Sequence, residues 1–259
     1  MSAVGKAGKT ATAPWRTAWV TGASTGIGRE LALRLARSGV RVAASARSKD
    51  KLEALSQAYE NIHAYPVDVT DHEAVRTVHG QILDQLGPIG LAVLNAGVWH
   101  PIKASEFDAS RARQSMAVNY FGITNALEPI IADMKGRGSG QIALVASVAG
   151  YRGLPMASAY APTKAAVINL AEVLRLELSR HGIVVSIVNP GFVETPMTSV
   201  NEFPMPFIIS SEAAAERIYR GLSRGKFEVV FPWQLALVMK ALRIMPNALF
   251  LRIAGRMSG

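Results

Sequence analysis

From residue 17 to residue 231 the chain alternates two kinds of apolar pattern. Short runs of β-branched and aliphatic residues are separated by longer stretches in which apolar positions recur every three or four residues. The short runs predict strands at 17–20, 40–45, 62–66, 90–94, 141–146, 183–188 and 227–231. Runs such as Leu91-Ala92-Val93-Leu94 are continuously apolar instead of alternating, as expected of strands covered by helices on both faces. The intervening helices carry boundary signals. Thr70 with Glu73 spells a capping box. Gly39 after Arg37-Ser38, and Gly182 after Arg180-His181, stand where a glycine ends a helix whose last turn is basic. Repeated βα units with right-handed crossovers predict an α/β fold, a doubly wound Rossmann-like parallel sheet of about seven strands in a single domain.

Composition narrows the chemistry. The 259 residues are 49% hydrophobic and 18% charged, which suits a folded core, not a disordered chain. With no cysteine there is no disulfide, thiolate nucleophile or iron–sulfur cluster to consider, and a reducing, cytoplasmic setting is the expectation. The net charge of +9 sits mostly at the ends: residues 1–20 carry +3 and residues 232–259 carry +4, leaving +2 on the body. A nucleic-acid binder would gather its excess on one face of the fold, so that class is set aside. Residues 1–15 lack the apolar stretch of a secretory signal and read as a flexible tail. Residues 16–231 read as a single Rossmann-type domain, and 232–259 as a basic amphipathic extension.

The first strand runs into Thr21-Gly22-Ala23-Ser24-Thr25-Gly26-Ile27-Gly28 and then a helix. Glycines let such a loop approach a pyrophosphate closely, while the helix N-terminus offers unpaired N–H groups to its charge. Sites selective for NAD usually place an acid at the end of the second strand, against the ribose 2′-hydroxyl. Here that strand ends in Ser45-Ala46-Arg47, with no acid before Asp50. A guanidinium at Arg47 suits a 2′-phosphate, so NADP(H) is expected over NAD(H). A solvated arginine at the sheet edge is the plainer reading.

Further along, Tyr160-Ala161-Pro162-Thr163-Lys164 sets a phenol and an ammonium four residues apart, one helical turn, with Ser147 at the end of a strand before them. If Ser158 is the N-cap, Pro162 falls one turn into the helix and removes at most one hydrogen bond. Carbonyl reduction needs a hydride donor, a proton donor and a group that polarises C=O. A phenol with a pKa of about 10 exchanges its proton poorly near neutrality. An ammonium about 4.5 Å away contributes roughly 3–4 kcal/mol at an effective dielectric of about 20, enough to lower the phenol pKa by about 2–3.

Together with Asn95-Ala96-Gly97, Asn119 and Pro190-Gly191, these residues give a chain that resembles the short-chain dehydrogenase/reductase family from Thr21 to about Thr195. The resemblance implies a catalytic tetrad of Asn119, Ser147, Tyr160 and Lys164. It implies adenine contacts at Asp68 and Val69, a sheet brace at Asn95, Ala96 and Gly97, and a nicotinamide-side loop through Pro190, Gly191, Val193 and Thr195. In the family the lysine also reaches the nicotinamide ribose, the asparagine holds a relay water, no metal is needed, and homodimers or homotetramers are usual. The five histidines show no metal-ligand spacing.

Residues 196–209 match the family's substrate lid, and Met197, Phe203, Met205, Phe207 and Ile208 make it apolar. Either these side chains pack the loop onto the body, or they receive a lipophilic carbonyl or alcohol. Beyond the core pattern, Leu235, Val238, Met239, Leu242 and Met245 recur at helical spacing, and Leu249, Phe250 and Ile253 follow after Pro246. Such basic amphipathic helices dock on protein or lie against a membrane, so peripheral contact through 233–256 stays open. The expectation is an NADP(H)-dependent carbonyl reductase or alcohol dehydrogenase acting on a small apolar substrate. NAD-linked oxidation of a hydroxysteroid or hydroxylipid is the alternative, as is a cofactor-binding sensor.

Overall fold

Every strand of the expected set forms, and each lies within two residues of its predicted bounds. The computed structural model describes residues 13–255. Its strands are β1 (Thr17–Thr21), β2 (Arg41–Ser45), β3 (Ile62–Ala64), β4 (Leu91–Leu94), β5 (Gly140–Val145), β6 (Ile183–Pro190) and β7 (Glu228–Phe231). All pair in parallel, in the order β3-β2-β1-β4-β5-β6-β7. Side chains alternate between two cores. Ala18 and Val20 of β1 face one and Trp19 faces the other; Ala143 and Val145 of β5 oppose Ile142 and Leu144 in the same way. Helices α1 (Gly26–Ala36), α2 (Lys49–Ala58) and α7 (Ser211–Ser223) cover the first face through residues such as Leu31, Leu52 and Ile218. Helices α3 (His72–Leu86), α5 (Gly122–Arg137) and α6 (Ala161–Leu178) cover the second through Ile82, Ile130 and Val167, and α4 (Ala109–Met116) precedes α5 across a π-helical turn. A sheet buried on both faces leaves no polar side to its strands, which is why they read as unbroken apolar runs.

Strand order reverses between β1 and β4, and at such a switch point the loops leaving the strand ends diverge and open a crevice. The glycine loop and the Asn95 segment emerge there, and the loop after β6 returns from two strands away to set Thr195 against Gly26.

Several local expectations are corrected. Helix α3 is capped by Asp71, whose Oδ1 accepts from the Ala74 N–H at 3.0 Å, and Thr70 instead bonds Asp68. The capping box thus loses to the aspartate one residue on. Helix α6 begins at Ala161 with Tyr160 in the N-cap place, because Ser158 gives its hydroxyl to the Ile102 carbonyl at 3.2 Å. Pro162 then lies in the first turn, where no intrahelical partner awaits its missing N–H. Gly39 ends α1 as expected: its N–H bonds the Ala36 carbonyl and the Val40 N–H bonds that of Leu35, a Schellman pair. Residues 1–12 of the expected tail lie outside the described residues. Trp15 is buried, its Nε1 donating to Gln141 Oε1 at 3.0 Å, so the packed body starts before residue 16.

Two helices follow the sheet, α8 (Trp233–Ile244) and α9 (Asn247–Gly255). Helix α8 buries Ala236 and Met239, packs Leu235 and Leu242 partly against the body, and ties Lys240 to Glu228. Val238, expected on that stripe, is turned outward. Helix α9 buries Phe250 beneath the Arg152 guanidinium, 4.3 Å from the ring centroid, and leaves Leu249 and Ile253 exposed. Among the described residues no helix is long and apolar enough to cross a membrane.

Candidate active site

A cleft of about 340 Å³ runs along the C-terminal ends of the strands. Its floor at one end is the glycine loop. Gly26 has φ of +55°, and a Cβ there would lie 2.9 Å from Thr195 Cγ2. At Gly28 a Cβ would lie 2.3 Å from the Gly22 carbonyl oxygen, so no larger residue fits without moving the loop. Thr25 is the N-cap of α1 but makes no side-chain cap, and no acid stands in the helix's first turn. The N–H groups at that end are thereby left for an anion. Gly22, Ser24, Thr25, Gly26, Ile27 and Gly28 all line the cleft, as do Arg47, Asp68 and Val69.

The opposite wall comes from β4. Thr21 Oγ1 accepts the N–H groups of Asn95 (2.9 Å) and Ala96 (3.1 Å), and Asn95 Nδ2 donates to the Thr21 carbonyl at 3.0 Å. This lacing fixes the end of β1 against the end of β4 and carries Asn95, Ala96 and Gly97 into the cleft lining. Pro190, Gly191, Val193 and Thr195 close it on the β6 side.

Ser147, Tyr160 and Lys164 meet at the far end. Ser147 caps a short 3-10 turn at Val148–Gly150, its Oγ accepting from the Ala149 N–H at 3.1 Å and lying 3.3 Å from the Pro190 carbonyl. The same hydroxyl also favours the ionised form of the Tyr160 phenol. Lys164 is buried; its Nζ donates to the Val145 carbonyl at 2.9 Å and lies 5.5 Å from the centre of the Tyr160 ring. Trp99 meets that ring edge-on, with centroids 5.0 Å apart.

The electrostatics reverse one expectation. Burial pushes the Tyr160 phenol up to about 12, only partly offset by the Ser147 hydrogen bond, and pushes the Lys164 ammonium down to about 8. Burial is the dominant cause, so the phenol lies above its ordinary 10 even with the ammonium nearby. Both groups are withdrawn from water, which disfavours the charged form of each. Lys164 also carries a stability signature. Its folded pKa lies below its ordinary 10.5, so between about 8 and 10.5 the unfolded chain binds the extra proton and stability rises with pH. Against Lys164→Met, wild type should gain about 3 kcal/mol of unfolding free energy over that range, read by urea titration at stepped pH. A constant difference would mean the ammonium is not desolvated.

Asn119 stands beside the cleft and is not among its lining residues. It lies on a π-helical turn, Ala117–Phe121, wholly buried and behind the cleft wall. Oδ1 accepts from the Val98 N–H at 2.7 Å, while Nδ2 donates to the Val98 carbonyl (3.0 Å) and to Thr163 Oγ1 (3.1 Å). Thr163 in turn donates to the Tyr160 carbonyl at 2.7 Å. Asn119 therefore joins the β4 loop to the start of α6. Sequence reading missed Thr163, Trp99 and Thr198, which donates to the Val193 carbonyl and also borders the cleft.

Comparison with known proteins agrees with this arrangement. Residues 16–203 match the family model described as short chain dehydrogenase. The chain is 38% identical over 247 residues to an uncharacterised oxidoreductase of Myxococcus xanthus, covering 94% of this chain and 98% of that protein. It is 32% identical over 240 residues to 11-beta-hydroxysteroid dehydrogenase-like 3 of Arabidopsis thaliana, covering 88% of this chain and 75% of the other. Among solved structures it resembles a short-chain dehydrogenase from Sphingobium yanoikuyae in complex with NADPH, with a TM-score of 0.78 at 27% identity, covering 87% and 91% of the two chains.

Proposed function

This chain belongs to the short-chain dehydrogenase family of oxidoreductases, and on that premise we propose that it is an NADP(H)-dependent reductase of a lipophilic carbonyl, with Tyr160 as general acid. The observation that carries the reading is the convergence of Ser147, Tyr160 and Lys164 at one end of a cleft whose other end is the glycine loop and Arg47. The uncapped N-terminus of α1 and the tight approach of the loop backbone at Gly28 fit a dinucleotide pyrophosphate. Arg47 suits a 2′-phosphate, Asp68 and Val69 an adenine, and Pro190, Gly191, Val193 and Thr195 a nicotinamide carboxamide. When bound, the nicotinamide supplies the hydride.

The protein's own groups handle the proton. A phenol held near 12 carries its proton at neutral pH, the form that donates to a carbonyl oxygen during reduction. Ser147 directs its hydroxyl to the same oxygen and polarises it. Lys164 spends one of its N–H donors on Val145 and keeps the others for a ribose hydroxyl. Asn119 acts as a positioning residue, fixing the Tyr160 backbone through Thr163.

Met197 on the cleft wall supports a lipophilic substrate, and the likeness to a hydroxysteroid dehydrogenase-like protein favours hydroxylipid oxidation as the second reading. A panel of medium-chain ketones, polycyclic ketones and sugars, run with NADPH and NADH, tests these together. Oxidation of NADPH by apolar ketones, with kcat/KM at least about tenfold above NADH, is the expected result. A preference for sugars removes the lipophilic substrate; bound NADPH that nothing oxidises makes the protein a sensor.

The C-terminal helices support peripheral membrane contact in addition to their docking. Trp233 (70% exposed), Leu237 (65%) and Ile244 (86%) form an outward ridge on α8, on the opposite side from buried Met239. Residues 232–259 carry only basic charge. An apolar ridge with basic flanks suits an anionic bilayer surface. Co-sedimentation with phosphatidylserine-containing liposomes is expected for wild type and lost in Trp233→Ser/Leu237→Ser; failure of wild type to bind ends this reading. Light scattering tests the family's homodimer or homotetramer in the same preparation.

A further inference from the structure

The lid after β6 is closed at its neck. The Glu194 N–H bonds the Ile209 carbonyl at 2.9 Å and the Ile209 N–H bonds that of Phe192 at 3.2 Å. Apart from local bonds back to Thr195, Pro196 and Thr198, residues 199–208 make one hydrogen bond to the rest of the protein among the described residues. It runs from Trp99 Nε1 to Asn201 Oδ1, at 2.9 Å. Asn201 is itself oriented within the lid, its Nδ2 donating to Met205 Sδ at 3.3 Å and its N–H to the Thr198 carbonyl at 3.1 Å.

The other side of the same indole faces chemistry. Its ring stands at 84° to Tyr160 with centroids 5.0 Å apart, an edge-to-face pair. The Trp99 backbone has little room to drift, since both polar groups of neighbouring Val98 are held by Asn119, which reaches Tyr160 through Thr163. Two routes therefore fix the indole relative to the phenol, one through the rings and one through the main chain.

We propose that Trp99 is the positioning residue that couples the substrate lid to the proton donor: its N–H latches the lid through Asn201 while its ring fixes Tyr160. The proposal rests on Tyr160 being the donor, and it adds that lid closure and donor alignment are one event. A substrate is held only while the latch is made, so loss of the latch falls on substrate retention more than on the chemical step.

Trp99→Phe keeps the aromatic contact and removes the donor; Asn201→Ala removes the acceptor from an exposed loop with little risk to folding. Each should raise KM for the best ketone about fivefold, the worth of one ordinary hydrogen bond, with a smaller change in kcat. The double variant should match either single one, because both delete the same bond. Chymotrypsin gives a readout that needs no activity. Cleavage within the lid, where Phe207 is half exposed, should quicken about fivefold in all three variants. Unchanged cleavage and KM in both single variants, or additive effects in the double, overturn the latch. If no ketone oxidises NADPH, the functional reading fails while the cleavage rates still decide the lid contact.

Discussion

Tyr160→Phe should abolish carbonyl reduction, lowering kcat by about 10²–10⁴-fold, the range a well-placed general acid contributes. The substitution is close to a pure deletion of one oxygen. The ring keeps its edge contact with Trp99, 5.0 Å between centroids, and Lys164 keeps its bond to the Val145 carbonyl. Ser147 keeps Ala149 and Pro190 as partners. The fold should lose only about 1 kcal/mol, the ordinary net worth of one hydrogen bond. The glycine loop is untouched, so the NADPH dissociation constant, followed by cofactor fluorescence, should stay within about threefold. That split separates a proton donor from a wall residue, which would disturb binding and turnover together. More than a few per cent of wild-type turnover would remove Tyr160 from the chemistry.

The sequence shows the framework more readily than the site's finer workings, for physical reasons. Leu91–Leu94 and its counterparts announce a doubly covered sheet because no polar face is permitted there. The glycines of the loop are legible because Gly28 leaves no space for any side chain. Cap positions are less legible, since they depend on which of several neighbouring oxygens wins. Asp71 displaces Thr70 on α3, and Ile102, 56 residues from Ser158, takes the hydroxyl that would have capped α6. Asn119 is readable as a motif residue, but its bonds to Val98 and Thr163 are not, since those partners lie 21 and 44 positions away. The direction of the Tyr160 shift was hidden as well. A Coulomb estimate from four-residue spacing cannot include the desolvation that the folded walls impose. Trp99 had no signal at all: its partners lie 61 and 102 positions away, in segments that share no motif with it.

Arg47 should decide which dinucleotide the protein uses. It stands just past β2, lines the cleft beside Ala46 and Ser48, and makes no ion pair or hydrogen bond among the described residues. Ser48 is the N-cap of α2 and its side chain caps none of that helix's N–H groups, so the first-turn N–H groups form a second donor set beside the guanidinium. A terminal phosphate placed here would meet both, whereas a bare ribose hydroxyl would use neither fully. Arg47→Leu is therefore expected to lower kcat/KM for NADPH by about 10–100-fold, as loss of charge-assisted hydrogen bonds does, while kcat/KM for NADH moves by less than about threefold. Arg47→Asp should go further and favour NADH, because a carboxylate repels the phosphate and accepts from the 2′-hydroxyl. The side chain is exposed, so the NADPH preference should shrink as ionic strength rises from about 0.01 M to about 1 M. Equal use of the two cofactors by wild type, or a leucine variant with unaltered NADPH kinetics, would leave Arg47 as a solvated residue at the sheet edge and make the cofactor choice a property of other groups.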